Sequence, residues 1–194
     1  MNNRTLLTLF ICVLALTQSV SAQVYVNQAA AGANDGTSWA NAYTNLQSAF
    51  DNATPGDQIW VAAGTYLPTV TTNSNDAFYR FNVDVELYGG FDGTETQLAD
   101  RDVENNLTIL SGDHAGDDVD GDFNNNKDDN SLHVMFLTDT ISTATIIDGL
   151  TFEHGYATDT ASTDLRRGGG LLTYGAPTVR NCIFQENYGF FGGG

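Results

Sequence analysis

Residues 166–194 read RRGGGLLTYGAPTVRNCIFQENYGFFGGG, and two features of this stretch decide the expected fold. A triple glycine at Gly168–Gly170 returns at Gly192–Gly194. The segment between them also repeats an earlier one. Slid back so that Thr178 lies on Ile146, TVRNCIFQENYG falls on IIDGLTFEHGYA. Val179 then meets Ile147, Cys182 meets Leu150, Phe184 meets Phe152 and Tyr188 meets Tyr156. In each copy an apolar residue precedes a two-residue polar turn, Asp148-Gly149 or Arg180-Asn181, after which alternation resumes. The insertion TDTASTDLRR separates the first copy from its glycines, so these two segments are offset by more than the glycines are.

A repeat of about 24 residues with short strands, sharp turns and no helix between strands predicts stacked parallel strands about 4.8 Å apart. Phe152 over Phe184 and Leu150 over Cys182 would then form interior columns. The expected class is all-β: a single-stranded right-handed parallel β-helix, a solenoid, with a short N-terminal capping helix. An antiparallel sandwich with glycine-rich loops is the alternative, although matched in-phase copies are not expected of it.

The rest of the chain is consistent with this class. TNLQSAFDNA is predicted as the one short helix: Thr44 and Gln47 have capping-box spacing, and Leu46, Phe50 and Ala53 share a face. TPGD breaks it, QIWVAAGTY reads as a buried strand, and a helix there would cover the first strand edges. After Asp51 the chain consists of short strands such as FNVDVELYGGF, NLTILSGD and SLHVMFL, separated by Gly, Asn and Asp turns.

MNNRTLLTLFICVLALTQSVSA has one early positive charge, an apolar core from Leu6 to Leu16, and small residues at Val20-Ser21-Ala22. That pattern is a secretory signal rather than a membrane span. Residues 1–22 are therefore expected as signal peptide, 23–58 as an N-terminal strand and capping helix, and 59–194 as β-helix turns truncated at the C-terminus. Cleavage would leave Cys182 as the single cysteine, so no internal disulfide framework is possible. Twenty-four acidic residues against 7 Lys plus Arg give a net charge of −17. This argues against nucleic-acid binding and suits a secreted, extracellular or outer cell-surface location.

FQEN at Phe184–Asn187, flanked by GGGL at Gly168 and GGG at Gly192, resembles the paired glycine and Phe-x-x-Asn repeats of polymorphic outer-membrane proteins. DGTSWANAYTNLQSAFDNATPGDQIWVAAGTYLPT, ELYGGFDGTETQLADRD and TILSGD resemble the N-terminal part of secreted bacterial β-helix proteins of the pectin-lyase-like superfamily. The resemblance implies the fold and leaves function open, since lyases, hydrolases, adhesins and surface proteins share it. FEHG departs from the pattern, with Gly155 where the repeat has Asn.

GDHAGDDVDGDFNNNKDDN holds seven aspartates. Asp118, Asp120, Asp122 and Asn124 fall at positions 1, 3, 5 and 7 of a calcium-loop template and Asp129 at position 12, with Asp113 just upstream. Phe123 stands where that template needs glycine, and no helices flank it. The candidate metal ligands are Asp113, Asp118, Asp120, Asp122, Asn124 and Asp129, with Ca²⁺ as the ion; the alternative is a solvated, flexible acidic loop.

No catalytic set or cofactor-binding motif is recognised. Asp148 and Arg180 fall at equivalent turn positions, where an exposed ion pair and a catalytic pair are both open readings. The histidines at 114, 133 and 154 have no metal-ligand spacing. The expected function is a structural or adhesive surface protein that binds an extracellular glycan or a surface protein. The alternative is an extracellular polysaccharide lyase or glycoside hydrolase.

Overall fold

The computed structural model describes residues 21–70, 72–158 and 166–191. Most of the expected signal peptide and the second triple glycine lie outside the described residues. Strand β1 (Gln23–Val26) is followed by the one α-helix among the described residues, α1 (Leu46–Asn52). Asn45, not Thr44, caps that helix, its side chain accepting from the Gln47 and Ser48 amides. Leu46, Ala49 and Phe50 turn inward, as 3.6-residue periodicity requires.

Further strands follow: β2 (Gln58–Ala62), β3 (Gly64–Tyr66), β4 (Tyr79–Phe81), β5 (Glu86–Phe91), β6 (Thr108–Ser111), β7 (Met135–Leu137), β8 (Ile146–Asp148), β9 (Thr151–Glu153), β10 (Tyr156–Ala157), β11 (Leu171–Thr173), β12 (Thr178–Arg180), β13 (Ile183–Gln185) and β14 (Tyr188–Gly189). They form separate sheets, ordered β1-β2-β5-β8-β12, β13-β9-β6-β3, β11-β7-β4 and β10-β14. Every pairing among these strands is parallel.

This corrects the fold expected from the sequence. A single-stranded right-handed parallel β-helix winds the chain into one closed solenoid, and among the described residues no closed solenoid is detected. The described residues form instead several short parallel sheets, with five, four, three and two strands, and one α-helix. The repeat length fails as well. Gln23 pairs with Gln58, Gln58 with Glu86, Glu86 with Ile146 and Ile146 with Thr178, and no two of these steps along the chain are equal. The step from Glu86 to Ile146 is about twice the one before it, because the insertions between β5 and β8 break any common period.

Register within the final pair of segments is regular. Val179 lies beside Ile147, Phe184 beside Phe152 and Tyr188 beside Tyr156. The two phenylalanine rings stack at 4.8 Å and 5°. Asn187 fixes this register by donating to the Phe152 carbonyl at 2.8 Å and accepting from the Gly155 amide at 2.9 Å. The glycine at 155 has its own cause: a Cβ there would lie 1.8 Å from the Gly169 carbonyl oxygen. The turn residues Gly149 and Asn181, one in each segment, both adopt positive φ.

The main core runs from Leu46 and Phe50 of α1 through Ile59, Leu87, Leu110, Met135, Ile147 and Phe152. A second cluster of Trp60, Tyr88 and Phe91, with Trp39 and Leu98 against it, buries the opposite face of the first strands. Trp60 and Phe91 stack at 4.6 Å. Burial on both faces suits parallel pairing, whose strands read as near-continuous apolar runs.

Candidate functional site

Three surface features bring polar chemistry together. The first is the acidic loop between β6 and β7. Asp113 is buried at the end of β6, where its carboxylate accepts from the amides of Gly116 and Asp118 at 2.7 and 3.1 Å. Asp118 turns inward with its side chain 1% exposed, and one oxygen meets Lys127 Nζ at 2.8 Å and Asn130 Nδ2 at 2.8 Å. His154 Nδ1 stands 3.0 Å from the same oxygen but is not aligned for a hydrogen bond. Asp122 closes a local turn on Asn124 and Asn125. The loop is tied to distant segments through Gly121 N–Glu186 Oε2 and Tyr156 Oη–Phe123 O.

Carboxylate oxygens of Asp113, Asp117 and Asp129 lie within 4.8 Å of one another. Asp113 is buried, Asp129 half-buried and Asp117 exposed. Of the six residues picked from the sequence, the structure therefore gathers Asp113 and Asp129. Asp118 is held by Lys127, Asp122 and Asn124 share the local turn, and Asp120 is exposed outside the cluster. Asp117 completes the group, a role that template spacing does not reveal. Partial desolvation, then the charges of Asp129, Asp113 and Asp118, hold its carboxyl above the ordinary value. Three oxygens of this kind could hold a hard cation.

The second feature is the Asp148 node. Asp148, 1% exposed, accepts from Arg101 at 2.9 Å, Arg180 at 2.7 Å and Asn181 at 2.9 Å. Burial opposes ionisation, yet the bonds from Asn181, Arg101 and Arg180 hold the carboxyl below its ordinary value. The sequence had placed Asp148 and Arg180 side by side; Arg101, from a distant part of the chain, was not foreseen. A carboxylate so fully engaged is a poor general base, because catalysis requires a free acceptor of raised pKa. The node ties the loop after β5 to β8 and β12.

The third feature is a groove beside α1, about 610 Å³ in volume, floored by Phe50, Phe78, Phe81 and Phe136 and rimmed by Asp51 and Arg80. A smaller cavity of about 400 Å³ adjoins it and shares Asp51, Phe78 and Arg80. Phe78 and Phe136 are half-buried and meet edge-to-face at 5.6 Å. β4 is an edge strand, and α1 guards that edge: Gln47 donates to the Arg80 carbonyl at 2.8 Å and accepts from the Arg80 amide at 3.1 Å. Among the described residues the Arg80 guanidinium makes no hydrogen bond or ion pair, and the residue is exposed. No sequence motif marked this groove, because its aromatic residues come from α1, β4, the residue just before β4, and β7.

Comparison with known protein families, with curated proteins and with solved structures found no match. Among the described residues no helix is long and apolar enough to cross a membrane.

Proposed function

We propose that this chain is a secreted or cell-surface module with a structural and adhesive role, which holds an extracellular glycan or surface protein without transforming it. The carrying observation is the aromatic-floored groove beside α1, open to solvent and lined by Phe50, Phe78, Phe81 and Phe136. Apolar floors with a few placed polar groups are the usual form of a binding cleft. The rival enzymatic reading, a lyase or hydrolase, would need a poised acid and base, and Asp148 is engaged by three donors. The leader-like N-terminus and the acidic composition support the extracellular assignment.

The test is incubation of the purified chain with a panel of extracellular polysaccharides, following both retention and product formation. Retention without new reducing ends or unsaturated products is the expected result. Release of cleaved sugar would overturn the reading.

A second reading attaches to the acidic loop, where the proximity of Asp113, Asp117 and Asp129 favours a stabilising Ca²⁺. An extracellular site needs an affinity of only about 10⁻⁴ to 10⁻³ M. A melting temperature that rises with added calcium is its test.

A further inference from the structure

From the groove beside α1 we infer that the occupant is a neutral polysaccharide lying extended across both cavities, an inference that rests on the binding role proposed above. Two adjoining cavities of about 610 and 400 Å³, joined at Asp51, Phe78 and Arg80, make an elongated cleft. The larger end offers the aromatic faces of Phe78 and Phe136 beside Arg80, Asn82 and Thr138. The smaller end is polar, with Asn45, Thr69 and Asp76, while Gln47 there is held by Arg80 and Asp51. A sugar chain has this same duality: apolar C–H faces that pack on rings, and hydroxyls that both donate to carboxylates and accept from guanidinium or amide groups.

Two alternative occupants fit poorly. A peptide that binds by adding a strand needs free backbone groups on the sheet edge. On β4 the amide and carbonyl of Arg80 are both taken by the Gln47 side chain, so that route is closed at the strand's centre. A polyanionic glycan would meet Asp51 and Asp76 in the cleft and a chain of net charge −17 around it. Arg80 alone does not reverse that field. Its role is to donate to ring or hydroxyl oxygens, with its backbone anchored by Gln47 and its side chain free to reach.

The experiment is affinity electrophoresis of the full chain through gels containing galactomannan, mixed-linkage β-glucan or polygalacturonate. Retardation by at least one neutral polymer and not by polygalacturonate is expected. Raising salt from about 0.05 M to about 0.5 M should change the neutral-gel affinity by less than about twofold, because no ion pair to the ligand is screened. Phe78→Ala should weaken retardation by about tenfold or more, as removal of a central aromatic contact does. Arg80→Gln alters only an exposed side chain and keeps the Gln47 bonds, so it reports on the groove even if Phe78→Ala folds poorly. Leu107→Ala, at an exposed apolar residue outside the groove, should behave as wild type.

Retardation by polygalacturonate alone would overturn the neutral-chain inference and leave the binding role standing. Neutral-gel retardation unchanged in Arg80→Gln and in folded Phe78→Ala would place the site elsewhere and overturn it too. No retardation on any gel would sink the inference, while the broader role would then fail only if surface-protein binding were also lacking.

Discussion

Replacing Asp148 with alanine removes the acceptor shared by Arg101, Arg180 and Asn181. Arg101 carries most of the effect, because its side chain is only 15% exposed and sits 5.2 Å from the Tyr88 ring. Breaking a buried ion pair costs about 3–5 kcal/mol. Arg101 keeps contacts at 3.3 Å to the Gly89 and residue-148 carbonyl oxygens, so the lower end applies. Arg180 is half-exposed and solvent-screened, and adds little. The expected loss is about 3 kcal/mol, or about 6–12 °C in melting temperature for a chain of this size. Circular dichroism during heating measures it, with Arg180→Ala as the mild comparison. The pH dependence has a definite sign. The folded carboxyl lies below its ordinary 3.8, so its stabilisation is complete above that value and is lost as pH falls through the folded one. The variant should therefore show a shallower acid limb than wild type. A melting temperature within about 2 °C of wild type would refute the reasoning.

Gly155→Ala should destabilise by about 3 kcal/mol or prevent folding, since its Cβ meets the backbone of Gly169 rather than a movable side chain; urea unfolding reads the change. Calcium should raise the melting temperature of wild type but not of Asp129→Asn. Asp118→Asn should lower stability with or without calcium, because its partner is Lys127. Burial pushes the Cys182 thiol above its ordinary value, so alkylation near neutral pH should be slow in the folded chain and accelerate in denaturant. Rapid labelling of the native protein would contradict that packing.

Local features were legible where one segment carries its own signal. The apolar face of Leu46 and Phe50 marked the helix, and the match between the segments around Phe152 and Phe184 marked a true neighbour pair. The overall architecture was misjudged because one regular step was extended to the whole chain. Glu86 and Ile146 pair across the longest step of their sheet, and nothing in either strand encodes the excursion between them. The site was obscured for a related reason. Template spacing assumes that a loop wraps on itself, yet Asp118 faces His154 from β9's end and Gly121 is held by Glu186. Arg101 and Gln47 likewise act on residues 47 and 33 positions away, beyond any local pattern.

The all-parallel pairing also governs how the chain reaches its structure. Among the described residues no hairpin can zip from a tight turn, and even the shortest step in the five-stranded sheet, from Gln58 to Glu86, spans a whole intervening excursion of the chain. Every sheet bond must therefore await a long loop closure, which makes the search for the folded state slow. Its thermodynamic toll is mild. Going from the β2–β5 closure to the β5–β8 closure roughly doubles the loop and adds only about 0.6 kcal/mol, because loop entropy grows with the logarithm of length. Insertions such as the acidic loop can thus accumulate between strands at small cost to the finished protein, while each one lengthens the interval during which a nascent chain remains open to misassociation.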